Sequence, residues 1–316
     1  MMKRREFFAG AAVTLINGGA KATSSINDIP IIDTHIHLFD ARRPQGAPYV
    51  GSVDYKGGVA LPATFRELAE PLNIVGAVAV EASPWIEDNL WVLEQEATDT
   101  FMVGMIGNLE PEKPEFAEYL DRYGKNPLFL GIRCGNSWGR DVAKQVDTPA
   151  FIEGLKRVAE AGMVMDSANP RVNLLQAIVK LNDRVPDLRI VIDHLPSLDP
   201  TPEMQRDYDA VLREIEGRPN IYTKLSEIDH RGQKEAGLAA HKGRLDMLFG
   251  IFGEDRVIFG SDWPNSWGVA SPTDIVRIAR AYFATRGFAA AEKFFWKNSL
   301  KAYKWVKRAV NQPSFT

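Results

Sequence analysis

Eight evenly spaced apolar runs constrain this chain more than any other feature. They cover residues 31–37, 74–82, 101–109, 128–134, 162–166, 189–194, 220–226 and 256–262. Each is a short, nearly continuous stretch of aliphatic and β-branched residues, as strands buried on both faces are. Between them lie segments of helical periodicity, at 64–72, 85–97, 114–123, 148–161, 172–182, 202–216 and 236–252. An eighth helix is predicted over 272–285 and an extra one over 289–309. Pro149 after Thr148 and Pro272 after Ser271 place proline just inside helix starts. The strand starts run from Ile31 to Arg256 in seven intervals, a mean repeat of about 32 residues. A (β/α)8 barrel of about 250 residues needs about 31 per unit. The expected fold is therefore α/β, a (β/α)8 TIM barrel with an extra C-terminal helix. No linker, short repeat or low-complexity tract interrupts it, so residues 23–316 read as one domain.

The first 22 residues read as something else. Lys3-Arg4-Arg5-Glu6-Phe7-Phe8 resembles a twin-arginine export signal, with paired arginines, one variable residue and then an apolar one. A mildly apolar run over 7–16 is too short to span a membrane. Ala20-Lys21-Ala22 is a small-x-small cleavage pattern, so cleavage is expected after Ala22. The expected location is the periplasm. Charge is nearly balanced, with 38 Lys+Arg against 41 Asp+Glu, which argues against a nucleic-acid partner. The lone Cys134 excludes an intramolecular disulfide and a cysteine-based metal knuckle. No membrane span is expected. The partner is a small-molecule substrate, and assembly with further copies of the chain is left open.

In such a barrel the active site lies at the carboxyl ends of the strands. Reading those ends gives His35 and His37 on the first strand, Glu81 on the second, Arg133 on the fourth and Asp166 on the fifth. His194 follows on the sixth, Ser226 and Glu227 on the seventh, and Asp262 on the eighth. Strand alternation puts His35 and His37 on one side, where two imidazoles can share a metal ion or a substrate oxygen. The same alternation turns Asp193 away from His194, to a structural position. Trp85, Trp138, Trp263 and Trp267 fall in loops on this face and offer flat apolar walls to a ring-shaped substrate. The loop over 38–63 is long enough to act as a lid.

The motifs Ile32-Asp33-Thr34-His35-Ile36-His37, Val191-Ile192-Asp193-His194, Lys224-Leu225-Ser226 and Phe259-Gly260-Ser261-Asp262-Trp263-Pro264 together resemble the amidohydrolase superfamily. More narrowly, they resemble its amidohydrolase-2 branch of sugar-lactone and pyrone-dicarboxylate lactonases. The resemblance runs from about Pro30 to the last helix and so covers nearly all of the chain after residue 22. It implies a (β/α)8 barrel with His35, His37, His194 and Asp262 at the site. Many relatives have a histidine on the fifth strand and a lysine or glutamate on the fourth as metal ligands. Here those strands end in Asp166 and Arg133, which argues against a two-metal centre and against the family's decarboxylases. One ion on His35, His37 and Asp262 stays open, with Zn²⁺ the default for nitrogen and oxygen ligands. A metal-free centre in which the histidines polarise the substrate stays equally open.

The expected activity is hydrolysis of a lactone. Asp262 acts as general base on water, and His35, His37 and His194, or an ion they help hold, polarise the carbonyl. Arg133 clamps a polar substrate group through its planar fork. Trp85, Trp138, Trp263, Asp166 and Glu81 complete the expected substrate contacts. Three rivals are weighed: a metal-dependent decarboxylase, a non-catalytic periplasmic sugar-binding barrel, and a serine esterase built on Gly135-Asn136-Ser137-Trp138-Gly139. The last needs a helix immediately after the serine, and the next clear helical pattern begins only near Thr148. Cys134 reads as a packed thiol. His230 and His241 follow the seventh strand, where surface positions are expected.

Overall fold

The structure is a computed structural model and describes residues 25–51, 55–228, 237–268 and 270–315. Its strands are β1 (Ile31–Ile36), β2 (Phe39–Asp40), β3 (Val59–Ala60), β4 (Ile74–Val80), β5 (Met102–Gly107), β6 (Phe129–Gly135), β7 (Val164–Ala168), β8 (Arg189–Ile192), β9 (Ile221–Leu225) and β10 (Val257–Phe259). Eight of them form one sheet in the order β1-β4-β5-β6-β7-β8-β9-β10, every pairing parallel. These are the eight expected strands. Each is buried along nearly its whole length, which explains runs with no polar alternation.

The sheet closes on itself through its first and last strands. Ile36 bridges Trp263 in parallel. The Asp262 amide donates to the His35 carbonyl at 2.8 Å, and the His37 amide donates to the Trp263 carbonyl at 2.8 Å. The Thr34 hydroxyl donates to the Phe259 carbonyl at 2.6 Å. Closure and site thus rest on the same residues. Gly260 permits this approach, because a Cβ there would stand 2.9 Å from the His35 Cβ. The chain is a (β/α)8 barrel.

The helices are α1 (Pro62–Ala69), α2 (Asp88–Thr98), α3 (Phe116–Tyr123), α4 (Val142–Gln145), α5 (Pro149–Glu160), α6 (Val172–Arg184), α7 (Pro202–Glu216), α8 (Leu238–Phe252), α9 (Pro272–Phe283), α10 (Phe288–Glu292) and α11 (Asn298–Tyr303). Each longer one turns an apolar stripe to the barrel. In α6 the stripe is Leu174, Leu175, Ile178 and Leu181, spaced by one, three and three residues. Ser271 and Asp274 cap α9 reciprocally, the arrangement that halts the chain ahead of Pro272.

Two details differ from the sequence-based expectation. The 38–63 loop contains the antiparallel pair β2–β3 and a 3₁₀ turn, Pro48–Gly51, which are too short to leave a periodic signal. The extra C-terminal helix ends at Tyr303, not near Ala309, after a π-helical turn over Lys293–Lys297. Lys304 is left-handed, and the chain then leaves the helix to seal one end of the barrel. There Arg308 donates to the Glu96 and Met102 carbonyls and Gln312 to those of Val75 and Thr100. The buried Trp305 extends the helical apolar pattern without extending the helix. Among the described residues no helix is long and apolar enough to cross a membrane.

Candidate active site

The four residues expected at the centre meet there. One carboxylate oxygen, Asp262 Oδ1, lies 3.4 Å from His35 Nε2, 3.2 Å from His37 Nε2 and 3.8 Å from His194 Nε2. The two strand-end histidines are 3.2 Å apart, Nε2 to Nε2. All four residues are at most 4% exposed. Asp262 Oδ2 faces the other way and accepts from Asn265 Nδ2 at 2.6 Å. Asn265 also donates to Glu227 at 3.2 Å. Burial opposes the Asp262 charge, but His194, His37 and His35 outweigh it and hold the carboxyl well below its usual 3.8. It is ionised and desolvated.

Local backbone aims these groups. His194, Glu227 and Asp262 have φ of 53°, 49° and 57°, a left-handed conformation that non-glycine residues rarely hold. Such conformations persist where surrounding bonds over-determine them. At Asp262 those bonds are its amide to His35 and its carbonyl to the Ser266 amide at 2.9 Å. Asp33, two residues before His35, accepts from the His35 amide at 3.0 Å and the Ser261 amide at 2.9 Å. It ties the two halves of the centre together. Burial raises its carboxyl to about 6.

The rings are oriented from behind. His37 Nδ1 lies 3.0 Å from the Val80 carbonyl and 3.1 Å from that of Glu81, so this nitrogen carries the proton. Nε2 of the same ring points at Asp262. His194 Nδ1 bonds the Ser226 hydroxyl at 2.8 Å. Burial and the nearby Lys224 keep His35 well below its usual 6.5, so it is neutral at pH 7. His35, His37 and Asp262 each offer an atom to one small volume. The Nε2 atoms of His35 and His37 and Asp262 Oδ1 lie within 3.4 Å of one another, so the donor set fits one divalent ion.

Other expected contacts fall in different places. Arg133 donates from Nε to Asp193 Oδ2 at 3.0 Å, and no described residue accepts from its two Nη groups. Glu81 is ion-paired with Arg140 and buried. Asp166, expected to bind substrate, has both oxygens engaged, one by Lys224 Nζ at 2.6 Å and both by the Tyr303 hydroxyl at 3.0 Å. It braces Lys224 instead. Trp263, expected on the substrate face, is fully buried against Tyr55 and Phe65, with ring centroids 5.2 and 5.0 Å away. Its side chain is core and only its carbonyl serves the site. Trp138 is 37% exposed and lies 6.4 Å from Tyr49, whose ring is 4.8 Å from that of His37. Trp85 lines a surface groove of about 550 Å³ with Arg43, Leu90 and Trp91. His241, expected at the surface, is buried in α8. His230 lies outside the described residues.

Sequence reasoning missed four residues. Asp193 is not turned away from His194. β8 ends at Ile192 and the left-handed His194 breaks the alternation, so Asp193 reaches His35 Nδ1 (3.6 Å), Lys224 (3.0 Å) and Arg133. Burial opposes its charge, but Lys224, His35 and Arg133 pull its carboxyl well below the usual range. Lys224, on the interior face of β9, is buried with its charge. Asn265 and Tyr49 sit in loops, where no period points to them. The Ser137 hydroxyl accepts from Asn169 at 3.5 Å and bonds no described imidazole, and the next helix, α4, starts only at Val142, so among the described residues no esterase elbow forms there. Burial pushes the Cys134 thiol up to about 12, in line with a packed residue.

The sequence profile described as amidohydrolase, Amidohydro_2, matches residues 32–305. The chain belongs to the amidohydrolase family. It is 24% identical over 246 residues to an L-fucono-1,5-lactonase of Burkholderia ambifaria, covering 74% of this chain and 80% of the relative. Two solved structures share the fold of this amidohydrolase. One is a Burkholderia multivorans amidohydrolase with bound zinc, with TM-score 0.77, 22% identity, and 88% of this chain and 100% of the other covered. The second is a putative 2-pyrone-4,6-dicarboxylic acid hydrolase from Pseudomonas putida, with TM-score 0.70, 20% identity, and 87% and 98% covered. The chain is an enzyme of the hydrolase class.

Proposed function

We propose that this amidohydrolase opens a lactone by attack of water. The observation that carries this reading is the single carboxylate oxygen of Asp262 set among three imidazole Nε2 atoms. Such a centre can take a proton from water while N–H donors stabilise an oxyanion. The water oxygen bonds to the carbonyl carbon, and its proton passes to Asp262. The ring C–O bond then breaks, and the departing alkoxide takes up a proton, leaving a hydroxy acid. Arg133 offers its Nη groups to a polar group of the substrate, and Trp138 with Tyr49 walls the mouth. The lactonase relative supports the cyclic ester. A decarboxylase of the same family is the second reading, and it is disfavoured because the fifth-strand residue, Asp166, is consumed by Lys224 and Tyr303. Purified protein tested on a panel of aldonolactones with a pH indicator is expected to release acid. Inert lactones together with fast loss of CO₂ from phenolic acids would overturn the assignment.

If an ion is held, His35, His37 and Asp262 hold it, and Zn²⁺ is the species that suits these donors. When bound it supplies Lewis-acid polarisation of the carbonyl. Elemental analysis is expected to find at most one divalent ion per chain, because Asp166 and Asp193 already surround a lysine. Two tightly bound equivalents would contradict this.

The same proposal includes export. The paired Arg4 and Arg5 motivate it, in a segment outside the described residues. A precursor with Arg4→Lys and Arg5→Lys is expected to stay unprocessed in the cytoplasm. Normal cleavage and periplasmic recovery of that double variant would remove the twin-arginine assignment.

A further inference from the structure

Lys224 is wholly buried at the centre of the barrel. Its Nζ lies 2.6 Å from Asp166 Oδ2, 3.0 Å from Asp193 Oδ1 and 3.2 Å from His35 Nδ1. Beneath it is the ring of Tyr303, with its centroid 5.4 Å away. An ammonium has three protons and no lone pair, and here three acceptors surround it. Two of them are carboxylates, which hold the charge in place. The third partner, His35 Nδ1, must therefore be an acceptor. A neutral imidazole that accepts at Nδ1 carries its one proton at Nε2.

His37 is the mirror case. Its Nδ1 faces two carbonyls and donates to them. The two histidines of one motif thus differ at Nδ1, and the His35 Nε2–H faces Asp262 Oδ1 at 3.4 Å and stands 3.2 Å from His37 Nε2. The rival arrangement puts the His35 proton on Nδ1, toward Asp193 Oδ1. That contact is longer, 3.6 Å, and the N–H would confront the ammonium at 3.2 Å, donor against donor. A divalent ion on His35 Nε2 requires this worse arrangement, and it also meets the fixed charge of Lys224 across one imidazole ring.

We propose that Lys224 is a positioning residue that fixes His35 as an Nε2–H donor and thereby weakens the hold of His35, His37 and Asp262 on a divalent ion. The inference deepens the proposed function, since it names the N–H that would meet a lactone carbonyl, but its test needs no lactone. The first arm uses the unaltered protein. Chelator-treated enzyme labelled with ¹⁵N-histidine has only five histidines, so long-range ¹H–¹⁵N correlation can resolve each ring. His35 is expected to show a bare Nδ1 and a protonated Nε2, and His37 a protonated Nδ1. A protonated Nδ1 on His35 would overturn the proposal. The second arm titrates zinc chloride into Lys224→Met by calorimetry. Zinc is expected to bind at least about tenfold more tightly than to wild type, because the opposing charge is gone and Asp193 can accept from Nδ1–H. A folded variant with unchanged or weaker zinc affinity would also overturn it. Should the variant fail to fold, the tautomer measured in wild type still decides.

Discussion

An Asp262→Asn enzyme folds normally and turns over its best lactone about 10²–10⁴-fold more slowly, the usual worth of a positioned general base. The substitution isolates the chemistry well. Asn tolerates the left-handed backbone that Asp262 holds at φ 57°, and it keeps an acceptor for the Asn265 amide. What it lacks is the negative oxygen among the three imidazoles. Because those imidazoles hold the carboxyl below its usual 3.8, Asp262 stays ionised through all neutral and mildly acidic pH. Its contribution to stability is present above that usual value and is lost only as pH falls through the depressed one. An acid limb in the wild-type rate profile above pH 5 must then come from another group. A structural aspartate would behave in the opposite way, with a lower melting temperature and nearly normal turnover. Both quantities are to be measured on one preparation. Turnover within a few-fold of wild type in a well-folded variant would end the catalytic assignment.

Trp263→Ala is expected to act on stability. The ring is fully buried between Tyr55 and Phe65, next to the bridge that closes the barrel. Emptying such a site costs about 3–5 kcal/mol, a large part of the roughly 5–15 kcal/mol that holds a folded domain. The melting temperature should fall by roughly 6–15 °C for a chain of this size. A substrate wall would instead show an unchanged melting temperature and a raised KM. Trp138→Ala is the control, since its ring is 37% exposed and its loss should leave the melting temperature near that of wild type. Equal melting temperatures for Trp263→Ala and wild type would mean that the ring is not core.

The barrel was legible because its signal is repeated. Eight buried parallel strands need eight apolar runs, and the helices that cover them need an apolar stripe, so period and spacing both survive in the chain. The ends of those runs also mark the catalytic face and put His35, His37, His194 and Asp262 among the candidates there, and the resemblance of their motifs to the amidohydrolase superfamily singled these four out. Alternation failed one residue later. It placed Asp193 outside because it assumed that β8 runs on to His194, whereas the strand stops at Ile192. No local pattern encodes a left-handed residue that is held there by bonds to distant parts of the chain.

Trp263 and Lys224 show the same limit from opposite sides. An aromatic after a strand end and a lysine within a strand carry no mark of burial. Trp263 is core because Tyr55 and Phe65, about 200 residues earlier, close over it. Lys224 is interior because Asp166 and Asp193, on β7 and after β8, neutralise its charge there. The amino-acid order determined the architecture and the face that carries the chemistry, which follow from periodicity along the chain, and its family motifs singled out the acid and the three imidazoles. Which oxygen of Asp262 meets the histidines, which nitrogen of each ring holds the proton, and which charges are buried were decided only by the closed barrel. There, residues hundreds of positions apart come within 3–4 Å in the absence of water, and each group's state is set by its neighbours.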